Sequence, residues 1–320
     1  MYQIRTDLAL ETQEKLQEDN IELKGVQFME EKVDKNLTIS TVVIETENGA
    51  KTMGKPKGTY ITIEAGNMDE EDEDYHREIS IQLAKVIRQL IPVKEKEISV
   101  LVVGLGNRAV TPDALGPRVV DNLYITRHII NEYGKYAFGK EKTNRISSIV
   151  PGVMAQTGME SMEIVAAVVK ETKPDFVIAV DALAARNTKR LNRTIQVTDT
   201  GINPGSGVGN HRHGINEKSL GVPVIAIGIP TVVDAATIVN DTMFTLVTAM
   251  NQHKEWKRIG NSLDQLNEME KYELIRELLS PNLNTMFVTP KDIDESVKRL
   301  SFTISEGLNL AFMGENHPVG

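Results

Sequence analysis

The 320-residue sequence contains no cysteine. That absence excludes disulfides, thiolate metal sites and a cysteine nucleophile, and it fits a reducing compartment. There is no surplus of positive charge either: 45 acidic side chains against 36 basic ones give a formal net charge of -9, which disfavours a surface that tracks phosphates and hence direct nucleic acid binding. Nowhere do eighteen apolar residues follow one another, and the opening "MYQIRTDLALETQEKL" has no apolar signal region, so the reading is a soluble chain with no membrane partner. Internal repeats, linkers and low-complexity tracts are also missing. The length suffices to bury a sizeable core in one large domain or two modest ones.

What is present changes character near residue 98. Before it, "GVQFMEE", "NLTISTVVIETENG" and "GTYITIEAG" carry β-branched and aromatic residues in partly alternating order, with Gly, Lys and Asn turn signals between them. They predict a small mixed sheet or a pair of hairpins. The acid run from Asp69 to Asp74 precedes Ile79, Leu83, Val86, Ile87 and Leu90 at helical spacing, an acidic helix start. From Ile98 onward, the apolar strands "ISVLVVGLG", "RISSIV", "DFVIAVD" and "VPVIAIGIP" are interleaved with helical stretches around Asp113 to Tyr133, Met159 to Lys170 and Val232 to Met250. Apolar runs without alternation predict strands covered on both faces, hence a mostly parallel central sheet flanked by helices. "RTIQVTDTG" is more polar and is assigned to a sheet edge, "SLDQLNEMEKYELIRELLS" is amphipathic, and the last helix opens with Thr289 as cap and Pro290 in first position. The fold class is therefore α/β, of phosphorylase/hydrolase-like layout, with an added N-terminal β-rich portion and a helical C-terminal part.

Gly104-Leu105-Gly106-Asn107-Arg108-Ala109 satisfies the loosest dinucleotide-binding fingerprint. That reading needs a helix starting within the glycines and a second strand ending in an acid about 20 residues on. Pro112 pushes Thr111 away from helical angles, and about 20 residues on lies helix and loop, so the turn better serves to position Asp113. As Thr-Pro-Asp-Ala-Leu, that aspartate is also a good helix cap. A second aspartate, Asp181, ends the apolar run "DFVIAVD", which places it at a strand's carboxyl edge, where open α/β sheets hold their ligands. If the two strands are neighbours, Asp113 and Asp181 face one cleft. Two unit charges 4 Å apart at an effective dielectric of about 20 repel by roughly 4 kcal/mol, about three pKa units. One carboxyl then keeps its proton while the other ionises, the division of labour of an aspartic peptidase.

Other nucleophiles are few. "NPGSGVGNHRHGIN", residues 203–216, holds Ser206 beside Gly207, with His211 and His213 on one side of an extended chain. A Ser-His hydrolase or a histidine metal site is thus a rival, but the nucleophile elbow is lacking and no third metal ligand stands nearby in sequence. The preferred reading is a glycine-rich loop over the cleft.

The segments "RTDLALE", "VVGLGNRAVTPDALGPRVV", "SSIVPGVMAQTGMES", "DFVIAVDALAAR", "QVTDTGINPGSGVGNHR" and "GVPVIAIGIPTVVDA" together resemble the germination protease family of spore-forming bacteria, whose fold is similar to that of hydrogenase-maturation endopeptidases. The resemblance implies a cytoplasmic endopeptidase of the forespore or spore core that degrades small acid-soluble, DNA-protecting spore proteins at germination, with no cofactor and no metal. It places the catalytic pair on Asp113 and Asp181, and it implies a homotetrameric zymogen that cuts itself between Asp7 and Leu8. Residues 1–7 then form a pro-segment and 8–320 one peptidase domain: a β-rich portion with a helix (8–92), an α/β core (93–250) and a helical part (251–320). Gly104, Gly106, Asn107, Ser206, Gly207 and His211 are candidates to shape the cleft or bind substrate. Arg5 is expected to pair with an acid near it. Two rivals stand beside this reading: a metallopeptidase using Asp113, Asp181 and His211 or His213, and a nucleotide-binding regulator using the Gly104 loop.

Overall fold

The computed structural model describes residues 6–18, 21–66, 68, 71–92, 97–134, 138–139, 143–205, 213–252, 256, 270 and 286–313. The strands are β1 Val26–Lys32, β2 Leu37–Ile44, β3 Gly58–Ala65, β4 Ser99–Gly104, β5 Arg145–Ile149, β6 Phe176–Ala185, β7 Thr194–Thr198, β8 Val224–Asp234 and β9 Phe287–Val288. The helices are α1 Ala9–Glu18, α2 Glu47–Met53, α3 Glu73–Leu90, α4 Leu115–Asp121, α5 Arg127–Tyr133, α6 Met154–Thr157, α7 Ser161–Thr172, α8 Glu217–Leu220, α9 Ala235–Gln252 and α10 Ile293–Met313.

One sheet carries these strands in the order β1-β2-β3-β7-β8-β6-β4-β5, with β9 paired to β8. Only β8, β6, β4 and β5 run parallel; β1, β2, β3 and β7 join antiparallel, as does β9. The sheet is therefore mixed, not mostly parallel. The β-rich first third does not form separate hairpins, because β3 pairs with β7 and extends the main sheet. The edge position expected for β7 is likewise corrected: it lies between β3 and β8, and all five of its residues are buried. Its polar side chains are used internally, Thr198 bonding Thr200 and Gln196 bonding the N-terminal segment.

Central strands feed both faces. On one side Val100, Val102, Ile178, Val180, Ile225 and Ile227 pack under α3, α4 and α10; on the other Leu101, Val103, Val177 and Ala179 pack under α7. Period-two alternation between two apolar layers is what makes these strands read as unbroken apolar runs. The long helix α3 starts where the acid run predicts, with Asp72 accepting from the Tyr75 amide, and it buries Ile79, Leu83, Val86 and Ile87.

Three expected boundaries move. The helix expected from Asp113 to Tyr133 divides into a 3₁₀ turn at Thr111–Asp113, then α4 and α5. Tertiary bonds interrupt it: the Tyr124 amide donates to Asn309 and the Thr126 amide to the Ile146 carbonyl. The stretch read as helix from Val232 remains strand through Asp234. The last helix begins at Ile293 rather than at Pro290, and the Thr289 hydroxyl, instead of capping it, donates to the Thr231 carbonyl at 2.8 Å. The amphipathic stretch 262–280 lies outside the described residues apart from Glu270.

Candidate active site

The turn after β4 depends on backbone angles open to glycine. Gly106 has φ +112°, and a Cβ there would stand 2.0 Å from the Asp113 carbonyl oxygen and 3.1 Å from its Oδ1. Into that space Asp113 folds back. The Asn107 amide donates to the Asp113 carbonyl at 2.9 Å, the Val110 amide to Asn107 at 3.0 Å and the Asp113 amide to Val110 at 2.8 Å. The turn is anchored on two sides. Thr231 Oγ1 donates to the Pro112 carbonyl at 2.7 Å, and Thr111 Oγ1 donates to Asp294 Oδ1 on α10 at 2.8 Å. Thr231 can do this because β8 bulges there: Leu183 pairs with Pro230 but Ala184 with Val232.

Asp181 does not end its strand. β6 continues through Ala185 because Ala182 to Ala185 keep pairing with β8 after β4 has stopped at Gly104. The aspartate instead marks the end of the neighbouring strand. Gly104 is opposite Val180, and the Leu105 amide donates to the Val180 carbonyl at 2.8 Å, so Asp181 adjoins Leu105 and Gly106 at about one strand spacing, ~5 Å. Asp181 is 5% exposed, and its carboxylate accepts from the Ala182 amide at 2.9 Å. Asp113 and Asp181 line a single cleft of about 1290 Å³.

The same cleft is lined by Thr6 and Asp7. Asp7 is held twice by Ala184: its amide donates to the Ala184 carbonyl at 3.1 Å, and its Oδ2 accepts from the Ala184 amide at 2.9 Å. Leu8 is fully buried with Leu183, Ala185, Leu191 and Val233. Thr6 Oγ1 donates to Glu11, whose carboxylate also accepts from the amides of Arg186 at 2.8 Å and Asn187 at 2.9 Å. Helix α1 follows directly and is clamped by Arg190, which contacts Glu14 at 2.7 Å and Glu64 at 2.9 Å.

Two donors meet on the Asp7 carbonyl. Lys55 Nζ and Gln196 Nε2 each donate to it at 3.0 Å. Burial holds the Lys55 ammonium below the usual lysine range, although the charges of Asp7 and Glu11 oppose that shift. Nearby, burial pushes the Tyr60 phenol up to about 12, with a side-chain hydrogen bond to Thr200 acting the other way. It stays neutral and donates to the Pro56 carbonyl at 2.9 Å, fixing the loop that carries Lys55.

The remaining candidates fall in different places. Gly106 lines the cleft, whereas Gly104 is buried beneath it, where a Cβ would stand 2.3 Å from the Gly116 carbonyl of α4. Asn107 braces the turn from outside, its Oδ1 accepting from Ala109 at 3.0 Å and Gln156 at 3.1 Å. His213 bonds Glu160 through Nδ1 at 2.7 Å. Arg5, Ser206, Gly207 and His211 lie outside the described residues. Among the described residues no group of three or more His, Asp or Glu side chains could hold a metal ion, and no helix is long and apolar enough to cross a membrane. Sequence reasoning missed Lys55, Gln196 and Thr231. Lys55 sits among other surface-type lysines in "GAKTMGKPKG", and no spacing signals it. Gln196 has a signal, a long polar side chain in a strand, but the same signal marks an edge strand.

The family model described as germination protease matches residues 4–263 and 247–317. A germination protease of Caldanaerobacter subterraneus subsp. tengcongensis is 50% identical over 309 residues, covering 96% of this chain and 94% of its own. One of Clostridium perfringens is 44% identical over 313 residues, covering 97% and 95%. One of Bacillus mycoides is 40% identical over 346 residues, covering 97% and 94%.

Proposed function

The chain belongs to the germination protease family, and on that premise we propose that it is an endopeptidase that uses Asp113 and Asp181 to activate water. The ionised carboxylate takes a proton from the water as its oxygen bonds the peptide carbon, and the other aspartate, held protonated, supplies its proton to the departing amine. The observation that carries this reading is the shared cleft: both aspartates line it together with Asp7 of the Asp7–Leu8 junction. Anchoring supports it too, because a turn held by Thr231 and Asp294 keeps Asp113 in place without the substrate.

The same proposal covers what family resemblance implies beyond proteolysis. The substrates are small acid-soluble spore proteins, the compartment is the cytoplasm of the forespore or spore core, and the chain assembles as a homotetrameric zymogen. Self-processing cuts between Asp7 and Leu8. Thr6 and Asp7 support this last point: both line the cleft, and Asp7 is bonded to Ala184 of β6. A glycine turn and a following acid build one wall of the proposed site, which is the feature the resemblance to hydrogenase-maturation endopeptidases rests on.

The test is direct. Asp113→Asn and Asp181→Asn, each in the full chain, should stop release of Met1–Asp7 as followed by mass spectrometry. Release at the wild-type rate from either variant would overturn the pair.

A further inference from the structure

The Asp7 carbonyl belongs to the bond that self-processing is proposed to break, and the inference below rests on that reading. We infer that Lys55 and Gln196 are catalytic donors that stabilise the oxyanion formed on this carbonyl, and on the corresponding carbonyl of substrate chains.

Convergence is the first argument. Two side-chain N–H donors from separate elements, the loop after α2 and strand β7, stand 3.0 Å from one oxygen. Donors at about that distance, fixed before the reaction, stabilise charge as it develops on a carbonyl. The second argument is that docking does not need them. Asp7 is already fixed to Ala184 through both its amide and its carboxylate, and Leu8 through its buried side chain. Placing a half-buried ammonium on the carbonyl adds a cost that a merely structural contact does not require.

Orientation is the third. The Ala9 amide donates to Gln196 Oε1 at 2.7 Å, and since only the amide oxygen can accept, Nε2 is the atom left facing Asp7. Lys55 is set by the α2 C-cap, where Gly54 takes φ +63°, and by the Tyr60 bond to Pro56. Register supplies the fourth. Gln196 on β7 and Asp181 on β6 are both opposite Gly228 on β8, so their side chains project from the same sheet face across a residue with none. Donor and aspartate thus stand on one face of the sheet and line the same cleft, with the Leu183 side chain over Gly228 between them. Neither donor lies in the segment that leaves, so both remain in the cleft afterwards.

In the step, the water oxygen bonds the Asp7 carbonyl carbon while one aspartate takes the proton, and the carbonyl oxygen becomes an alkoxide held by Lys55 Nζ–H and Gln196 Nε2–H. The carbon–nitrogen bond to Leu8 then breaks as the second aspartate protonates the amine. The second aspartate starts protonated and ends ionised, the first ends protonated, and the new Asp7 carboxyl group gives its remaining water proton to the Leu8 amine or to solvent, so atoms and protons balance.

Two rates measured on the full chain test this: first-order release of Met1–Asp7, and turnover of an added synthetic peptide with the sequence of residues 3–12. Lys55→Met and Gln196→Glu should each lower both rates by about 100-fold, as loss of one oxyanion donor does. Lys55→Arg should retain at least about a tenth of each, since it keeps a charged N–H. Gln196→Glu keeps the acceptor for Ala9, so a folding failure at that position is separated from loss of the donor, and circular dichroism checks both variants. If the residues only docked the segment, weaker docking would open the cleft, and peptide turnover would hold or rise while self-release slowed; that pattern overturns the proposal. Should the wild-type chain leave Asp7–Leu8 uncut, the junction reading fails and the proposal falls with it, a result distinct from equal rates in wild type and variants.

Discussion

A lysine amine beside a carbonyl and two acids is a titrating group as well as a donor. Burial lowers the pKa of Lys55 in the folded chain, while Asp7 and Glu11 limit the shift. Between that lowered value and the ordinary lysine value, the unfolded chain keeps a proton that the folded chain has released. The contribution of this residue to stability therefore rises with pH across that window, and below it the cost of burying the charge is present in full. Urea unfolding of wild type and Lys55→Met at pH 7 and pH 10 reads this directly: the wild type should gain on the variant at the higher pH, and a constant difference would contradict it. At this scale the sequence disclosed the acids better than their neighbours. Asp113 follows a glycine turn and a proline, and Asp181 interrupts an apolar strand, so local pattern exposes each one. Lys55 and Gln196 acquire their place only when the loop after α2 and strand β7 are brought to the N-terminal segment, 48 and 189 residues away from Asp7 in sequence.

Among elements, the turn between β4 and α4 is the part most sensitive to a single atom. Gly106→Ala would force a Cβ against the Asp113 carbonyl at a φ that side chains rarely adopt. It should cost roughly 2–4 kcal/mol of stability and lower peptide turnover at least about tenfold. Gly221→Ala serves as the control: its φ +72° and ψ +9° are left-handed, but a Cβ would meet nothing within 4 Å, so its cost should be about 1 kcal/mol with turnover unchanged. Denaturation midpoints and turnover of both variants check the contrast, and equal effects would show that Asp113 does not depend on that close approach. Element type was legible where burial is two-sided or where a helix is long and amphipathic, as in β4, β6, β8 and α3. It failed where tertiary partners overrule local pattern. β7 is interior although polar, because Gln196 and Thr198 spend their polar atoms on internal bonds. β6 outlasts Asp181 because β8 runs beyond β4 and continues to pair with it.

For the whole molecule, the consequence is a cleft that contains part of its own chain. Thr6 and Asp7 line it, and a tethered segment competes at an effective concentration of roughly 1 mM. A chain starting at Leu8 should therefore turn over 0.1 mM of the residue 3–12 peptide about tenfold or more faster than a full chain unable to process itself. Equal rates would mean that the segment does not block the site. Mixed sheet order escaped sequence reasoning at this scale, since the antiparallel pairs that join β3 to β7 lie 130 to 138 residues apart and leave no local mark.

The account stands on the aspartate pair. Its most direct test is steady-state kcat for the residue 3–12 peptide with the chain starting at Leu8, in wild type and in Asp181→Asn, in the presence of a chelator. The account gives undiminished wild-type turnover and a loss of at least about 1,000-fold in the variant, with the fold retained. A variant within tenfold of wild type, or a wild type silenced by the chelator, would contradict it.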